Sequence, residues 1–330
     1  MNFQQLRYVR AAVKNDLNLT KVAGELFTSQ SGVSKQIREL ETELRVDIFV
    51  RRGKRLVGLT PAGESAAQVI DRLLQEAENL KRLSDQFAQG DKGRFIIAAT
   101  HNQANFVLPR LLVAFGELFP KVEVELLQGS PNFVVDALVR GEADIGVATE
   151  ALDANPHLET HPCFTWQHVV IAPEGHPLLG LNDVTLADIA RYPIITYNAE
   201  FSGGARVVEM FEEAGLEIDL RLRAMDADVI KTYVRLGAGV GIVAQMAMVG
   251  RPCADEPRIV PGSERLFGSS VTKVALQKGT LLRNYAYRFA AMLAPHLDPD
   301  VLSGKRRAPQ SAPPPQIAPF TQRHDLHLER

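Results

Sequence analysis

The chain has 330 residues, of which 45% are hydrophobic and 23% charged, with a formal net charge of -2 and two cysteines. That is enough for two or three globular domains, and it excludes a disordered polyelectrolyte and a disulfide scaffold. No apolar run is long enough for a membrane helix, and the polar, basic start MNFQQLRYVR has no apolar stretch behind it, so a cytoplasmic protein is expected.

The charge is unevenly spread: residues 1–60 carry eleven Lys and Arg against six Asp and Glu, and the remainder carries 26 against 33. A basic head on an acidic body implies that the head alone meets a polyanion. In the head, LTKVAGELF reads as a short amphipathic helix through Val22, Ala23 and Leu26, capped by Thr20. After the link FTSQS, the residues Val33, Ile37, Leu40 and Leu44 recur at helical spacing, which turns Ser31, Lys35, Arg38 and Thr42 to the opposite side. Two helices so joined are either a helix-turn-helix unit or two members of an ordinary bundle. In the first reading the second helix lies in a DNA major groove and presents Ser29, Gln30, Ser31, Ser34, Lys35 and Arg38. The next stretch, IFVRRGKRLVGLTPAG, favours that reading. It predicts two short strands around a basic turn, a wing whose Arg51, Arg52, Lys54 and Arg55 suit phosphates.

From Pro61 to about Phe87 the pattern is one long helix, and Ala66, Ile70, Leu73, Ala77 and Leu80 form the alternating seam of a two-stranded coiled coil. Dimerisation is expected from it. Beyond Gly93 the architecture repeats. RFIIAA, QANFVLPRLLVAFGELF, VEVELL, NFVVDALVR and DIGVAT read as strand, helix, strand, helix and strand, and PIITY, GARVVEMFEEAG, LEIDLRL, ADVIKTYVRLG and GVGIVA repeat that order. Each unit implies a lobe with a parallel sheet, with PCFTWQHVVIAPEGHPL crossing between them. A late strand and helix return to the first lobe. The tail from Ser303 holds many prolines and little apolar material, so disorder is expected.

In parallel sheets, ligands gather where strands end and helices begin. Thr100 ends the first strand of the first lobe, Asn102 and Gln103 open its helix, and Thr149 ends its third strand. In the second lobe the equivalent corner holds Ser202 with the backbone of Gly203 and Gly204. Such neutral donors suit an oxyanion or a small zwitterion without help from Lys or Arg. Helix caps are the plainer reading of Thr100 or Asn102 alone; the recurrence of the corner in both lobes favours a site. His101 reads as a bystander and Trp166 as core. Cys163 and Cys253 read as unpaired thiols, and neither metal nor cofactor is expected.

The block from LRYVRAAVKN to GLTPAG resembles, without gaps, the winged helix-turn-helix of LysR-type transcriptional regulators, with Ser31 where many members carry proline. DKGRFIIAATHNQANFVLP, FPKVEVELLQGSP, GEADIGVATEAL and DADVIKTYVRLGAGVGIVA are similar to the branch that regulates cysteine biosynthesis and sulfur assimilation, the CysB branch. The resemblance implies an α/β chain with a winged helix-turn-helix at 1–60, a dimerising linker helix at 61–88, and a two-lobed effector domain at 89–302 like that of periplasmic binding proteins. Lobe I would span 93–162 and 268–297, lobe II 165–265, and the tail 303–330. It also implies promoter DNA as partner, self-association to dimers and tetramers, contact with RNA polymerase, and a sulfate, thiosulfate or acetylserine type of effector. Thr100, Gln103 and Thr149 would then be ligands, and Asn102 and Ser202 stand where relatives have threonine, which keeps a sulfonate-type effector open. A solute-binding protein or an enzyme would share the two-lobed body, but neither explains the basic head, and no GxSxG, Walker or HExxH motif is present.

Overall fold

The computed structural model describes residues 1–53, 55–89, 91–201, 203–249, 255–306 and 315–326. Lys54, Ser202 and Cys253 of the sequence reading lie outside the described residues. The chain divides into two compact units, residues 1–85 with 279–281, and residues 86–278 with 282–330.

The first unit contains α1 (Phe3–Lys14), α2 (Leu19–Glu25), α3 (Gln30–Leu44), a hairpin of β1 (Phe49–Arg52) and β2 (Arg55–Leu59), and most of α4 (Pro61–Gln89). The helical spacing read from sequence is what closes its core: Val22, Ala23, Val33, Ile37 and Leu40 are buried together with Leu6, Val9 and Ile48. Each buried Val, Leu or Ile among them contributes about 1.5–3 kcal/mol relative to an exposed one. The cap of α2 differs from expectation. Asn18, not Thr20, holds it, its side-chain oxygen accepting from the amides of Thr20 and Lys21, because Thr20 already lies inside the first turn. At the start of α4 the Thr60 hydroxyl accepts from Gly63 N at 2.8 Å, and a Cβ on Gly63 would stand 1.9 Å from the Ile48 carbonyl oxygen. Only glycine lets α4 approach that closely. The apolar seam of α4 also needs correcting, since Ile70 is buried in the head's own core together with Leu74. The stripe left exposed is Val69, Leu73, Leu80 and Leu83, displaced around the helix because one face is already spent on intramolecular packing.

The second unit runs β3 (Gly93–Ala99), α5 (His101–Phe106), α6 (Leu108–Leu118), β4 (Val122–Gln128), α7 (Pro131–Val139), β5 (Ile145–Ala148) and the long β6 (Leu158–Ala172). Then follow α8 (Leu186–Ile189), β7 (Ile194–Tyr197), α9 (Gly204–Glu213), β8 (Leu220–Ala224), α10 (Ala227–Arg235), β9 (Val240–Ala244), β10 (Arg258–Ile259), β11 (Ser269–Gln277), α11 (Asn284–Leu293) and α12 (Pro299–Leu302). The helix expected from Gln103 onward is two, broken at Val107 where Pro109 begins a new first turn.

The sheet order is β4-β3-β5-β11-β6-β9-β7-β8. Within β4-β3-β5 and within β8-β7-β9 the strands are parallel, in the same second-first-third order, so the repeat read from sequence is a repeat in space. The crossing segment is itself a strand. β6 pairs antiparallel with β11 through Gln167 and with β9 from His168, so the change of lobe falls later in the chain than the sequence boundary between 162 and 165.

The tail also departs from expectation. Lys305 donates to Asn284, Arg306 pairs with Asp298, and residues 315–326 pack on the first lobe. Thr165 N donates to the Ala318 carbonyl at 3.1 Å, and Phe320 is 1% exposed with its ring 5.3 Å from that of Phe164. Arg323 donates to the carbonyls of Leu293 and Met292, capping α11. Composition misled because two apolar anchors, Phe320 and Leu326, suffice to order a short strap once a groove receives them.

Candidate functional site

On the first unit, α3 begins at Ser29, whose hydroxyl accepts from Gly32 N at 3.1 Å; this cap starts the helix without the proline that the family pattern favours. Ser29, Gln30, Ser31, Lys35 and Arg38 are exposed and Ser34 is half-buried. Gln30, Ser31, Ser34, Lys35, Arg38 and Thr42 line one continuous hollow along α3. Lys35 has only a loose pairing with Glu39, at 3.8 Å on an exposed face, which contributes little. In the wing, Gly53 takes the left-handed turn at φ +64° and Arg52 and Arg55 point to solvent.

Arg51 is different. It pairs with Glu41 at 2.7 Å, and the Glu41 side chain, 5% exposed, also accepts from the amides of Ile48 and Phe49 at 2.9 and 3.0 Å. That ties the wing to α3, with the Arg51 side chain still 22% exposed. Sequence reasoning missed Phe27, which is 97% exposed at φ +50° in the turn before α3. An aromatic residue there reads as core, and no pattern in the sequence contradicts that.

On the second unit, the sequence-read residues of the first lobe lie where β3 and β5 end and α5 begins. Thr100 occupies the cap position of α5, 3% exposed, but its hydroxyl makes no cap bond. Asn102, 2% exposed, donates from Nδ2 to the Tyr197 hydroxyl at 3.0 Å, and that oxygen also accepts from Ala244 N at 3.1 Å. Asn102 lies in the first lobe, Tyr197 and Ala244 in the second. Gln103, 1% exposed, donates from Nε2 to the Thr272 hydroxyl at 3.0 Å, while its Oε1 is buried with no hydrogen-bond partner among the described residues. Thr149 is half-buried just beyond β5. His101, read as a bystander, lays its ring 6.2 Å from that of Phe201 of the second lobe. Trp166 is core, as read, 2% exposed with its ring 4.9 Å from His168.

The second-lobe corner is built by glycine. Gly203 has φ +72° and leads α9, and a Cβ on Gly204 would stand 2.4 Å from the Asn198 carbonyl oxygen. The amide of Gly204 is taken by Phe201 O, and the Glu150 carboxylate of the first lobe lies close to Gly203, where an added Cβ would stand 3.7 Å from Oε1. Glu150 went unremarked in the sequence because it only follows Thr149. Burial pushes its carboxyl from the usual 4.5 up to about 7, against the lowering effects of Lys273 and of two backbone amides. A titratable carboxyl thus directly follows Thr149.

Among the described residues no group of three or more metal-ligating side chains occurs, and no helix is long and apolar enough to cross a membrane. Burial pushes the Cys163 thiol up to about 12, so it stays protonated.

Two family models match the chain, the bacterial regulatory helix-turn-helix protein of the lysR family over residues 3–64 and the LysR substrate binding domain over residues 88–298. The chain is 51% identical over 307 residues to the HTH-type transcriptional regulator SsuR of Burkholderia cenocepacia, covering 93% of this chain and 99% of that one. It is 47% identical over 299 residues to CysB of the same organism (90% and 95% covered). With cbl of Escherichia coli it shares 46% over 289 residues (88% and 91% covered). Of solved structures, the cofactor-binding domain of the Cbl transcriptional regulator aligns at TM-score 0.61 with 39% identity, covering 65% of this chain and 93% of that one. Full-length CbnR in complex with its target DNA aligns at TM-score 0.51 with 23% identity over 88% and 97%, a likeness of fold.

Proposed function

Because the chain belongs to the LysR family of bacterial transcriptional regulators, which bind DNA and small effectors and self-associate, we propose that it reads promoter DNA through α3 and the wing under control of an effector held between its lobes. It is a regulator, not an enzyme. Its targets are genes of sulfur assimilation and cysteine biosynthesis, in keeping with its likeness to the SsuR, CysB and Cbl regulators. The protein works in the cytoplasm as a dimer or tetramer and acts on RNA polymerase at the promoter.

Ser29, Gln30, Ser31, Ser34, Lys35 and Arg38 meet DNA, with Arg52 and Lys54 on flanking phosphates. Thr100, Asn102, Gln103, Thr149 and Ser202 surround the effector, a sulfate, thiosulfate or acetylserine type of molecule. The observation that carries this is the hydrogen bond from Asn102 to Tyr197, since it joins the helix that would hold the effector to the opposite lobe. A ligand that changes this pairing has the differential affinity for two lobe arrangements that control requires; equal affinity would shift nothing. Asn102 also favours a second effector class. It stands where the branch carries threonine and puts an amide in place of a hydroxyl, a change of hydrogen-bonding group that keeps a sulfonate or thiosulfate effector in view.

Calorimetric titration of the full chain with sulfate, thiosulfate, O-acetylserine and an alkylsulfonate tests the reading. One of them binds the native chain and not Gln103→Ala, while binding to promoter fragments enriched by the native protein is unchanged in the variant. An undiminished effector response in Gln103→Ala refutes the pocket.

A further inference from the structure

Glu150 is the residue whose position the effector reading leaves unexplained. It follows β5 in the first lobe, and its carboxylate reaches the second lobe at Gly203, where a built Cβ would stand 3.7 Å from Oε1. The backbone holds it there by a tight turn: Leu152 N donates to Glu150 O at 2.9 Å across Ala151, a non-glycine residue at φ +67°. Such a conformation costs about 1 kcal/mol or more and persists where surrounding structure imposes it. The His168 ring is close by, since a Cβ on Gly203 would lie 2.9 Å from its Cε1 and 3.7 Å from Glu150 Oε1.

We propose that Glu150 sets which effectors the cleft accepts, by requiring a proton beside the bound anion. A fully ionised oxyanion such as sulfate enters together with a proton held on the Glu150 carboxyl, which then donates its O–H. A ligand with its own ammonium or N–H group enters without one, because it donates to the ionised carboxylate. No covalent bond changes; the proton is taken from solvent. The inference rests on the cleft being the effector site.

The charged and titratable groups facing Glu150 limit what else could supply that proton. From β11 comes Lys273, which pairs with Asp153 of the loop after Glu150. From β6 comes His168, and from α9 the uncharged Gly203 amide. The burial that raises the Glu150 carboxyl to about 7 places its titration in the accessible range. Sulfate itself does not titrate there.

The test is calorimetric titration of the full chain and of Glu150→Gln with sodium sulfate between pH 6.5 and 8.5, in two buffers of different ionisation enthalpy. The native chain should bind sulfate with affinity falling about tenfold per pH unit above 7, taking up one proton per sulfate. Glu150→Gln, isosteric and a permanent N–H donor, should bind sulfate with no pH dependence and more tightly than the native chain at pH 8. Its melting temperature at pH 6.5 checks that it folds. A flat profile in the native chain, or the same slope in Glu150→Gln, overturns the role of Glu150. If neither protein binds sulfate, thiosulfate or O-acetylserine at any pH, the effector site itself is wrong, which is a different failure.

Discussion

Asn102 Nδ2 and the Tyr197 hydroxyl meet at 3.0 Å, and through them the first turn of α5 in one lobe is joined to the end of β7 in the other. The Tyr197 oxygen accepts a second bond from Ala244 N and is wholly buried, which pushes its ionisation far above the usual range. Tyr197→Phe keeps the ring and removes the acceptor, leaving two buried N–H groups without it. The loss should be about 1–3 kcal/mol in denaturant unfolding, with a weakened effector response. An unfolding curve and a response identical to the native ones would show that the pair is incidental.

Arg51 and Arg38 sit in the same basic head but should fail in different assays. Arg51→Ala leaves the Glu41 carboxylate buried without its counter-charge, so about 2–4 kcal/mol of stability should go. Arg38→Ala combined with Lys35→Ala removes exposed charge, which should leave the melting temperature within a degree or so while weakening promoter binding and flattening its dependence on salt. Measured side by side, the two variants separate scaffold from contact. Loss of stability in the Lys35/Arg38 variant, or normal stability in Arg51→Ala, would reverse the assignment.

What the sequence disclosed follows from which interactions are periodic. The apolar spacing of Val33, Ile37 and Leu40 fixes one face of α3 and so exposes Lys35 and Arg38, and the doubled strand-helix order locates Thr100 and Gln103 at a strand end. Pairings between distant segments leave no such trace. Arg51 looks like any other wing arginine until Glu41 is seen beside it, and Glu150 is an unremarkable acid until β5 ends against α9. Heptad spacing cannot say which of two neighbouring stripes the head itself covers, so it places in a shared seam an Ile70 that the head buries. The tail failed for a related reason: Phe320 and Phe164 lie far apart in the chain, and composition sees only the prolines between.

Glu150 also makes stability depend on pH. Its carboxyl binds a proton more tightly folded, with a value of about 7, than unfolded, with 4.5, so its contribution is complete below 4.5 and is lost as pH rises through 7. His176 and His296 oppose this at lower pH, since burial lowers both below 6.5 and their contribution grows as pH rises through that range. The clean window is therefore pH 6.5–8, where the native chain without effector should lose about 1 kcal/mol. Glu150→Gln should show no such loss. Parallel slopes for the two proteins in urea unfolding would place the titrating group elsewhere.

The strap at 315–326 reaches the sheet at a consequential place. Ala318 and Pro319 lie along Thr165 of β6, and β6 leaves the first-lobe ladder for the second immediately after Gln167. Phe320 and Leu326 fill first-lobe grooves, and Arg323 holds the end of α11. Ending the chain after residue 314 removes two buried apolar side chains and one buried cation that is hydrogen-bonded throughout. Area burial alone implies about 3–6 kcal/mol as an upper bound, or on the order of 10 °C in melting temperature. Phe320→Ala should account for about half of that without shortening the chain, because the backbone bond from Thr165 to Ala318 survives it. With the strap gone, β6 is less firmly held just ahead of the point where it changes lobes, so effector affinity should fall as well as stability. A truncated chain that melts and binds like the native one would mean the strap is carried by the domain without bracing it.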